Sequence, residues 1–142
     1  MIEAIIGRQF VEKVIPLINE AKKSIDIIVF DWRWYANDAG SSVQLFNQSI
    51  VRAVRRGVRV RAIVNNSSIL TTLVSLGCLA RKLETKNLVH AKMMVLDSEI
   101  VVIGSHNYTQ HAFTMNYELS VILRDEENIS DFANFFNQLW PS

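Results

Sequence analysis

The amino-acid sequence predicts an α/β fold in which a mixed β-sheet is flanked by helices on both faces. Helical and strand patterns alternate through the first half of the chain, strand-like runs crowd the middle, and a helical stripe closes it. The 142 residues, of which 49% are hydrophobic and 2 are proline, can bury one sizeable core. We therefore expect a single domain over residues 1–142.

The first half of the chain alternates between strand-like and helix-like segments. A run at 25–30 is polar only at Asp26, which predicts a buried strand, and alternating apolar residues at 58–64 predict another. Apolar residues at helical spacing follow Phe10 and Ser42, with Pro16 as a kink or first-turn residue. The elements predicted here are Met1–Ile6 (strand), Phe10–Lys23 (helix), Ser24–Phe30 (strand), Ser42–Gly57 (helix) and Val58–Asn65 (strand).

Strand-like segments lie between two helical segments in the second half. Short runs rich in β-branched and aliphatic side chains predict buried strands. Ile129, Phe132, Phe136 and Trp140 lie on one face of a closing helix. The elements predicted here are Ile69–Leu76 (helix), Leu88–Leu96, Ile100–Ile103 and Leu119–Leu123 (strands), and Glu126–Trp140 (helix).

Net charge, cysteine content and hydrophobic runs indicate which classes of protein the sequence excludes. The formal net charge of +1 gives no global electrostatic sign of a nucleic-acid binder. The one cysteine, Cys78, excludes an internal disulfide and a cysteine-based zinc cluster. No segment has the form of a signal peptide, and no apolar run approaches the ~20 residues of a membrane span. We therefore expect a cytoplasmic protein without stable membrane insertion.

A His-x-Lys pair carries most of the functional prediction. His90 and Lys92 lie two residues apart in a predicted strand, so their side chains point to one face, about 6 to 7 Å apart along it. A neutral imidazole is a competent nucleophile near pH 7, and an ammonium is a compact charge for phosphate oxygens. Together these side chains can hold and attack one phosphoryl group.

Further polar residues follow in the next two strand regions. Ser105 and Asn107 offer neutral donors to phosphoryl oxygens, and Gly104 permits close approach of the backbone. Glu118 could accept the other imidazole N–H of His90 and fix its tautomer. Because hairpins can bring three successive strands together, we predict a phosphate site. A packed histidine beside a lysine, with a Gly-Ser-x-Asn turn, is the alternative.

The same residues predict neither a metal ion nor a cofactor. The carboxylate of Glu118 lies among lysine and amide donors, whereas two-metal phosphodiesterases surround each ion with several oxygen ligands. The ammonium of Lys92 can take the electrostatic role of the ions. We therefore predict metal-independent chemistry.

Aromatic and basic residues are candidates for binding a substrate. The aromatic loop, which could stack on bases or line a cleft, consists of Trp32, Arg33, Trp34 and Tyr35. Packing in the core or in a dimer is the alternative for this loop. Two basic clusters could track phosphates or form solvated faces; they comprise Arg52, Arg55, Arg56, Arg59 and Arg61, and Arg81, Lys82 and Lys86. We expect His106 and His111 near the site or on the surface, without chemistry of their own.

The order of these motif residues resembles that of a known family. The pattern His-x-Lys-x4-Asp, then Gly-Ser-x-Asn, then a downstream Glu resembles the phospholipase D superfamily. Its single copy in a short chain is similar to the Nuc-type bacterial endonucleases, and the order of elements resembles one family repeat. Asp97 matches the last position of the first motif and points away from His90 on a strand, so we interpret Asp97 and Gly104 as structural.

The resemblance implies a role for each remaining motif residue. His90 would be the nucleophile that forms a phosphohistidine intermediate, and Glu118 would orient it. Lys92 and Asn107 would bind the phosphate, with Ser105 assisting. Nearly the whole chain would then form one phospholipase D-like catalytic domain.

A single His-x-Lys copy has a consequence for assembly. Displacing a nucleoside oxygen needs an acid on the leaving group, and in the family that the chain resembles two copies of the motif make one site. We therefore predict a homodimer that places His90 of both subunits around one phosphate. The favoured function is a metal-independent nuclease acting on DNA or RNA. The alternatives are a phospholipid-directed phosphodiesterase and a non-catalytic nucleic-acid-binding module.

Overall fold

The computed structural model describes residues 1–141, so Ser142, the last residue of the expected domain, lies outside the described residues. The strands are β1 (Ile2–Ile6), β2 (Ser24–Ile28), β3 (Arg59–Val64), β4 (Leu79–Lys82), β5 (Met93–Leu96), β6 (Ile100–Gly104) and β7 (Leu119–Arg124). They form one sheet in the order β1-β7-β6-β5-β2-β3-β4. β2, β3 and β4 run parallel, and the other neighbouring pairs are antiparallel. The predicted mixed sheet is therefore confirmed.

Helices cover both faces of this sheet. They are α1 (Gln9–Glu20), α2 (Ser42–Arg55), α3 (Ser67–Ser75), α4 (Gln110–Thr114) and α5 (Ile129–Leu139). On one face Phe10, Phe46 and Phe113 pack together, with ring centroids 6.1, 4.9 and 5.4 Å apart. On the other face Phe136 of α5 is buried in a smaller core with Val95. The prediction of helices on both faces is therefore confirmed.

Side-chain oxygens cap the N-terminal ends of three of the helices. The N-terminal caps are Ser41, Asn66 and Thr109, which accept hydrogen bonds from backbone N–H groups in the first turns of α2, α3 and α4. Each cap satisfies a donor that has no partner within its own helix. The caps place the start of α3 directly after β3 and the start of α4 close behind β6.

The predicted strand Leu88–Leu96 is much shorter in the structure. β5 begins at Met93, so His90 and Lys92 lie in an irregular segment before it. Met93 pairs with Ile28, which is the last residue of β2. Beyond that pair β2 has ended, so its neighbour offers no further ladder to the aliphatic residues 88–92. Apolar composition favours a strand but cannot supply the missing hydrogen-bond partner.

Two elements were not predicted from the sequence. β4 has four residues, most of them exposed, and lies at the edge of the sheet beside β3. α4 has five residues and begins at the cap Thr109. Neither is long enough to show a hydrophobic period. The other predicted elements are present with shifted ends: α1 ends at Glu20 and α3 begins at Ser67.

Candidate active site

Four strand ends meet at one end of the sheet, which we call the site end. β2 and β6 end there, and β5 and β7 begin there, because Ile28 pairs with Met93, Met93 with Ile103, and Gly104 with Ser120. The opposite end, where β5 finishes, is the far end. This antiparallel pairing gathers all the motif residues except Asp97 at the site end.

His90 and Lys92 converge although they are not on a strand. The Nζ atom of Lys92 lies 3.1 Å from Nδ1 and 3.4 Å from Nε2 of the His90 ring. The ring of Phe30, which follows β2, packs against the His90 ring with centroids 4.7 Å apart. Burial lowers the pKa of Lys92, and the nearby charge of Glu118 partly offsets this effect. The two side chains predicted as nucleophile and cation are therefore in contact with each other.

The carboxylate of Glu118 accepts hydrogen bonds from two neighbouring side chains. The Ser105 hydroxyl donates to Oε1 of Glu118 at 2.5 Å, and the side-chain amide of Asn116 donates to Oε2 at 3.0 Å. Ser105 Oγ also accepts from the backbone N–H of Leu119 at 2.9 Å. Among residues 1–141, Glu118 makes no hydrogen bond to His90. An orienting contact between the two therefore stays a prediction.

Asn107 has a fixed orientation. Its Oδ1 atom accepts from the backbone N–H of Asp31 at 3.0 Å, so the amide nitrogen points the other way. Asn107 lines a cavity of about 410 Å³ together with Asp31, Arg33, Tyr35 and His111. The amide N–H groups are available there to donate to a ligand oxygen.

Gly104 lies where two backbones meet. A Cβ atom at this position would overlap the Oγ and Cα atoms of Ser120 and approach the carbonyl of Leu119. Gly104 pairs with Ser120 across β6 and β7, and Ser105 N–H donates to the Leu119 carbonyl at 3.0 Å. The backbone at Gly104 therefore lies close to the backbone of β7, and this contact brings Ser105 beside Glu118.

Asp97 lies at the far end, in the turn after β5. Its carboxylate accepts backbone N–H groups of Lys22, Lys23 and Ser24 at 3.0, 2.7 and 3.0 Å. Burial opposes ionisation of this carboxyl, but the backbone donors outweigh it and lower the pKa of Asp97. Asp97 has a φ of 54°, a left-handed conformation that aspartate tolerates better than most residues. These contacts fasten the connection between α1 and β2 to the end of β5.

The aromatic loop is divided between the core and the surface. Trp32 is 2% exposed, and its Nε1–H donates to Oδ1 of Asn47 at 2.7 Å. A ring that is buried to this extent packs in the core, which was the alternative prediction for this loop. Trp34 is partly buried, whereas Tyr35 is 44% exposed. Arg33 is exposed and pairs with Asp31 at 2.8 Å.

The two basic clusters lie at opposite ends of the sheet. The first follows the end of α2 into β3, whose first residue Arg59 pairs with Ser24 at the far end. Arg56 donates to two carbonyls at the end of α1, and Arg61 pairs with the buried Asp26 at 2.8 Å. The second cluster lies at the site end, because Lys82 closes β4, which is parallel to β3. Arg56 and Arg61 of the first cluster therefore stabilise the fold.

His106 is a core residue, which leaves a place near the site, and not at the surface, as the surviving alternative for it. Its ring is 1% exposed; Nδ1 lies 2.7 Å from the Ser120 hydroxyl and Nε2 lies 2.8 Å from the Gly7 carbonyl. Burial lowers the pKa of His106, although the Gly7 carbonyl and Glu118 act against this shift. A neutral ring whose Nε2–H donates to Gly7 and whose Nδ1 accepts from Ser120 satisfies both contacts.

The structure adds features that the sequence did not reveal. Asn65, directly after β3, donates to the carbonyl of Val89, beside His90, at 3.1 Å. An apolar groove of about 370 Å³ adjoins His90 and is lined by Leu88, Val89, Ala91, Phe135 and Leu139. Phe135 belongs to a predicted helix, but nothing in the sequence placed that helix beside the motif.

Neither a cluster of metal-binding side chains nor a membrane-spanning helix occurs within residues 1–141. No group of three or more His, Cys, Asp or Glu side chains in this part of the chain could hold a metal ion. None of its helices is both long and apolar enough to cross a membrane.

Comparison with known proteins gives matches over most of the chain. The family described as "Cardiolipin synthase, PLD-like domain" matches residues 14–140. Mitochondrial cardiolipin hydrolase of Canis lupus familiaris is 27% identical over 140 residues, covering 94% of this chain and 52% of that protein. The protein of the same name from Chlamydomonas reinhardtii is 28% identical over 134 residues, covering 90% and 56%. The chain spans about half the length of these relatives.

Solved structures show the same fold. Nuc from Salmonella typhimurium, a phospholipase D family member, superposes with a TM-score of 0.80 and 20% identity, covering 99% of this chain and 95% of that chain. NucT from Helicobacter pylori superposes with a TM-score of 0.78 and 19% identity, covering 98% and 94%. The predicted phospholipase D-like fold is thus confirmed. Because the family match extends over residues 14–140, the chain belongs to the phospholipase D superfamily.

Proposed function

We propose that this chain is a phosphodiesterase that transfers the phosphoryl group of its substrate to His90. The convergence of His90 and Lys92, 3.1 Å apart at the end of the sheet that also holds Ser105 and Asn107, carries the proposal. A nucleophile, a cation and neutral donors around one space are the groups that phosphoryl transfer requires.

The reaction has two displacement steps. A ring nitrogen of neutral His90 attacks phosphorus, the N–P bond forms, and the P–O bond to the leaving group breaks while an acid protonates the leaving oxygen. Water, deprotonated by the same group, then attacks phosphorus, the N–P bond breaks, and His90 is regenerated. Lys92 exchanges its contact with His90 for a phosphoryl oxygen, and the amide of Asn107 donates to another.

The leaving-group acid is proposed to come from a second copy of the chain. His106 is buried with both ring nitrogens in hydrogen-bond contacts. His111 is exposed on α4 and lines the cavity beside Asn107, so it is the alternative acid within the same subunit. In a two-fold homodimer the partner's His90 would serve as the acid. Both subunits would then share one substrate site.

Mixed dimers test the shared site. Heterodimers of one wild-type and one His90→Ala subunit, purified through two different tags, should lose nearly all turnover before subunits exchange. Half of the wild-type rate would show that each subunit has its own site. His111→Gln is the control: a wild-type rate in this variant excludes the remaining exposed histidine as the acid.

Nucleic acid is the proposed substrate. The cavity beside Asn107 is lined by Arg33 and by the exposed ring of Tyr35, which can pair with a phosphate and stack on a base. Lys82 and Lys86 add positive charge at the site end. We propose that the chain acts in the cytoplasm without a metal ion.

A phospholipid is the second candidate substrate. The apolar groove beside His90 can hold a hydrocarbon chain whose phosphate lies at Lys92, and Leu88 and Phe135 within it are 65% and 44% exposed. The sequence alone offered no such groove. The cardiolipin-associated names of the relatives favour the same class.

One assay set separates the two candidates. DNA, RNA and cardiolipin-containing vesicles are incubated with the protein in excess EDTA, and we expect cleavage of nucleic acid to persist. Tyr35→Ala should lower turnover of nucleic acid alone, whereas Phe135→Gln should lower turnover of lipid alone. Loss on chelation that magnesium or manganese restores would overturn metal independence. Binding of nucleic acid without cleavage of any substrate would favour a non-catalytic module.

A further inference from the structure

The segment that carries His90 has few attachments to the sheet. Residues 83–92 form no strand, because β4 ends at Lys82 and β5 begins at Met93. Within 88–92, two hydrogen bonds tie the backbone to neighbouring elements: Gly104 N–H donates to the Lys92 carbonyl at 3.4 Å, and Asn65 donates to the Val89 carbonyl at 3.1 Å. The second is the shorter contact and lies directly beside His90.

Asn65 joins this segment to the end of β2. Its Nδ2 atom lies 3.1 Å from the Val89 carbonyl, 3.2 Å from the Phe30 carbonyl and 3.4 Å from the Val29 carbonyl. The two amide hydrogens can therefore serve Val89 and Phe30, with Val29 sharing one of them. Phe30 is the residue whose ring packs on His90 at 4.7 Å. One side chain thus holds both the residue before the nucleophile and the ring beside it.

Asp31, the residue that follows Phe30, is hydrogen-bonded to Asn107 of the site. Asp31 N–H donates to Oδ1 of Asn107, a residue that lines the cavity. The segment 29–31 therefore connects Asn65, which binds the residue before His90, with Asn107, which lines the cavity. Movement of this segment would change the distance between the nucleophile and the phosphate-binding amide.

We propose that Asn65 is a positioning residue that fixes His90 relative to Asn107. The inference rests on the proposed phosphodiesterase function and names a residue of that site outside the family motif. Asparagine suits the position because its nitrogen donates twice and its side chain is short. An aspartate would place a carboxylate oxygen against three carbonyl oxygens, and an alanine would leave them without a donor.

The test compares Asn65→Ala with Asn66→Ala. Asn66 is the matched control, because its Oδ1 atom accepts from Ile69 N–H at 2.9 Å and caps α3. Removing the cap costs stability without touching Val89 or Phe30. On a bis-aryl phosphodiester, Asn65→Ala should lower kcat by roughly 10- to 100-fold, because a small misplacement of a reacting group is sufficient for such a loss. KM should change less than about threefold in both variants, and kcat should be nearly unchanged in Asn66→Ala.

A second readout does not depend on activity. In ¹⁵N-labelled protein the imidazole signals of His90, identified by their loss in His90→Gln, should shift in Asn65→Ala and stay in place in Asn66→Ala. Equal losses of kcat in the two variants, or unmoved His90 signals in Asn65→Ala, would overturn the proposal. If Asn65→Ala does not fold, Asn65→Ser, whose hydroxyl keeps one donor, is measured by the same criteria.

The two readouts separate this inference from the proposed function. Wild-type protein that cleaves no phosphodiester, combined with His90 signals that shift in Asn65→Ala, would refute the enzyme and support the positioning contact. An active wild type with an unaffected Asn65→Ala variant would refute the positioning contact alone.

Discussion

The two ends of β5 use the polar residues of one sequence motif in different ways. At the far end, the carboxylate of Asp97 is surrounded by three backbone N–H donors and binds the chain to itself. At the site end, His90 and Lys92 contact one another, and Asn107 lines a cavity. Polar groups that make all their hydrogen bonds within the protein stabilise the fold. Polar groups with unused donors or acceptors can form hydrogen bonds with a ligand.

The two ends of β5 differ because its hydrogen-bonded pairing with β2 ends differently at each of them. At the far end a tight turn joins β5 to β6, so Asp97 meets the start of β2 at close range. At the site end β2 stops at Ile28 and the chain before β5 leaves the sheet. His90, which lies beyond the ladder, is exposed, so the same strand leads to the proposed site at one end and holds the fold together at the other.

Replacing the proposed nucleophile should remove activity without affecting the fold. His90→Ala should lower turnover by more than about a thousandfold, since the covalent step has no other nucleophile. His90 is exposed, so the midpoint of thermal unfolding should remain close to that of wild type. Single-turnover assays and thermal melts measure the two quantities. Turnover within a few-fold of wild type would refute the role of His90.

Replacing the phosphate-binding amide should have the next largest effect. Asn107→Ala removes a donor to the transition state and should lower kcat by roughly 100- to 1,000-fold. Asn107→Asp is the matched control, because it keeps an oxygen for Asp31 N–H while it removes the donor. Both variants should therefore be inactive, and Asn107→Asp should be the more stable. An active Asn107→Asp would show that the amide nitrogen does not bind phosphate.

At the far end the effect should be on stability. Asp97→Ala should lower the free energy of unfolding by about 1 to 3 kcal/mol, because three backbone donors lose their acceptor. The kcat per folded molecule should stay within about twofold of wild type, since no transition-state contact is removed. Denaturant unfolding and kinetics on the folded fraction measure these effects. A large loss of kcat at full stability would show that Asp97 takes part in the chemistry.

The lowered pKa of Asp97 also predicts a pH dependence. Because the carboxyl ionises more readily in the folded state, its contribution is present above the unfolded pKa of about 3.9 and is lost as pH falls through the folded pKa. The stability difference between wild type and Asp97→Asn should therefore shrink as pH is lowered from about 7 to about 3. Urea unfolding over this range measures it, and a constant difference would contradict the prediction.

Charge removal at the two ends should give the smallest effects. Lys82→Ala with Lys86→Ala, at the site end, should weaken binding of nucleic acid several-fold and reduce its dependence on salt. Arg52→Ala with Arg55→Ala, at the far end, removes the same formal charge and should leave binding nearly unchanged. Fluorescence anisotropy at several salt concentrations compares the pairs. Equal losses would show that the nucleic acid also contacts the far end.

The sequence predicted the fold class, most of the elements and the family because each depends on local pattern. The alternation of helical and strand periods indicated the mixed sheet, and the spacing of His90, Lys92, Asn107 and Glu118 indicated one site. The sequence did not predict where β5 starts, because the length of a strand depends on its neighbour. It also gave no sign of Asn65, whose partners belong to segments far from it in the chain.

The amino-acid pattern alone was enough to identify the residue types that phosphoryl transfer needs and the periods of the elements that carry them. Tertiary structure alone decided that Trp32 packs in the core, that Arg56 and Arg61 bind carbonyls and a carboxylate away from the site, and that an apolar groove adjoins His90. The physical reason is that burial and hydrogen-bond partners depend on contacts between distant segments. Local pattern fixes which groups are present, and packing fixes which of them remain available to a ligand.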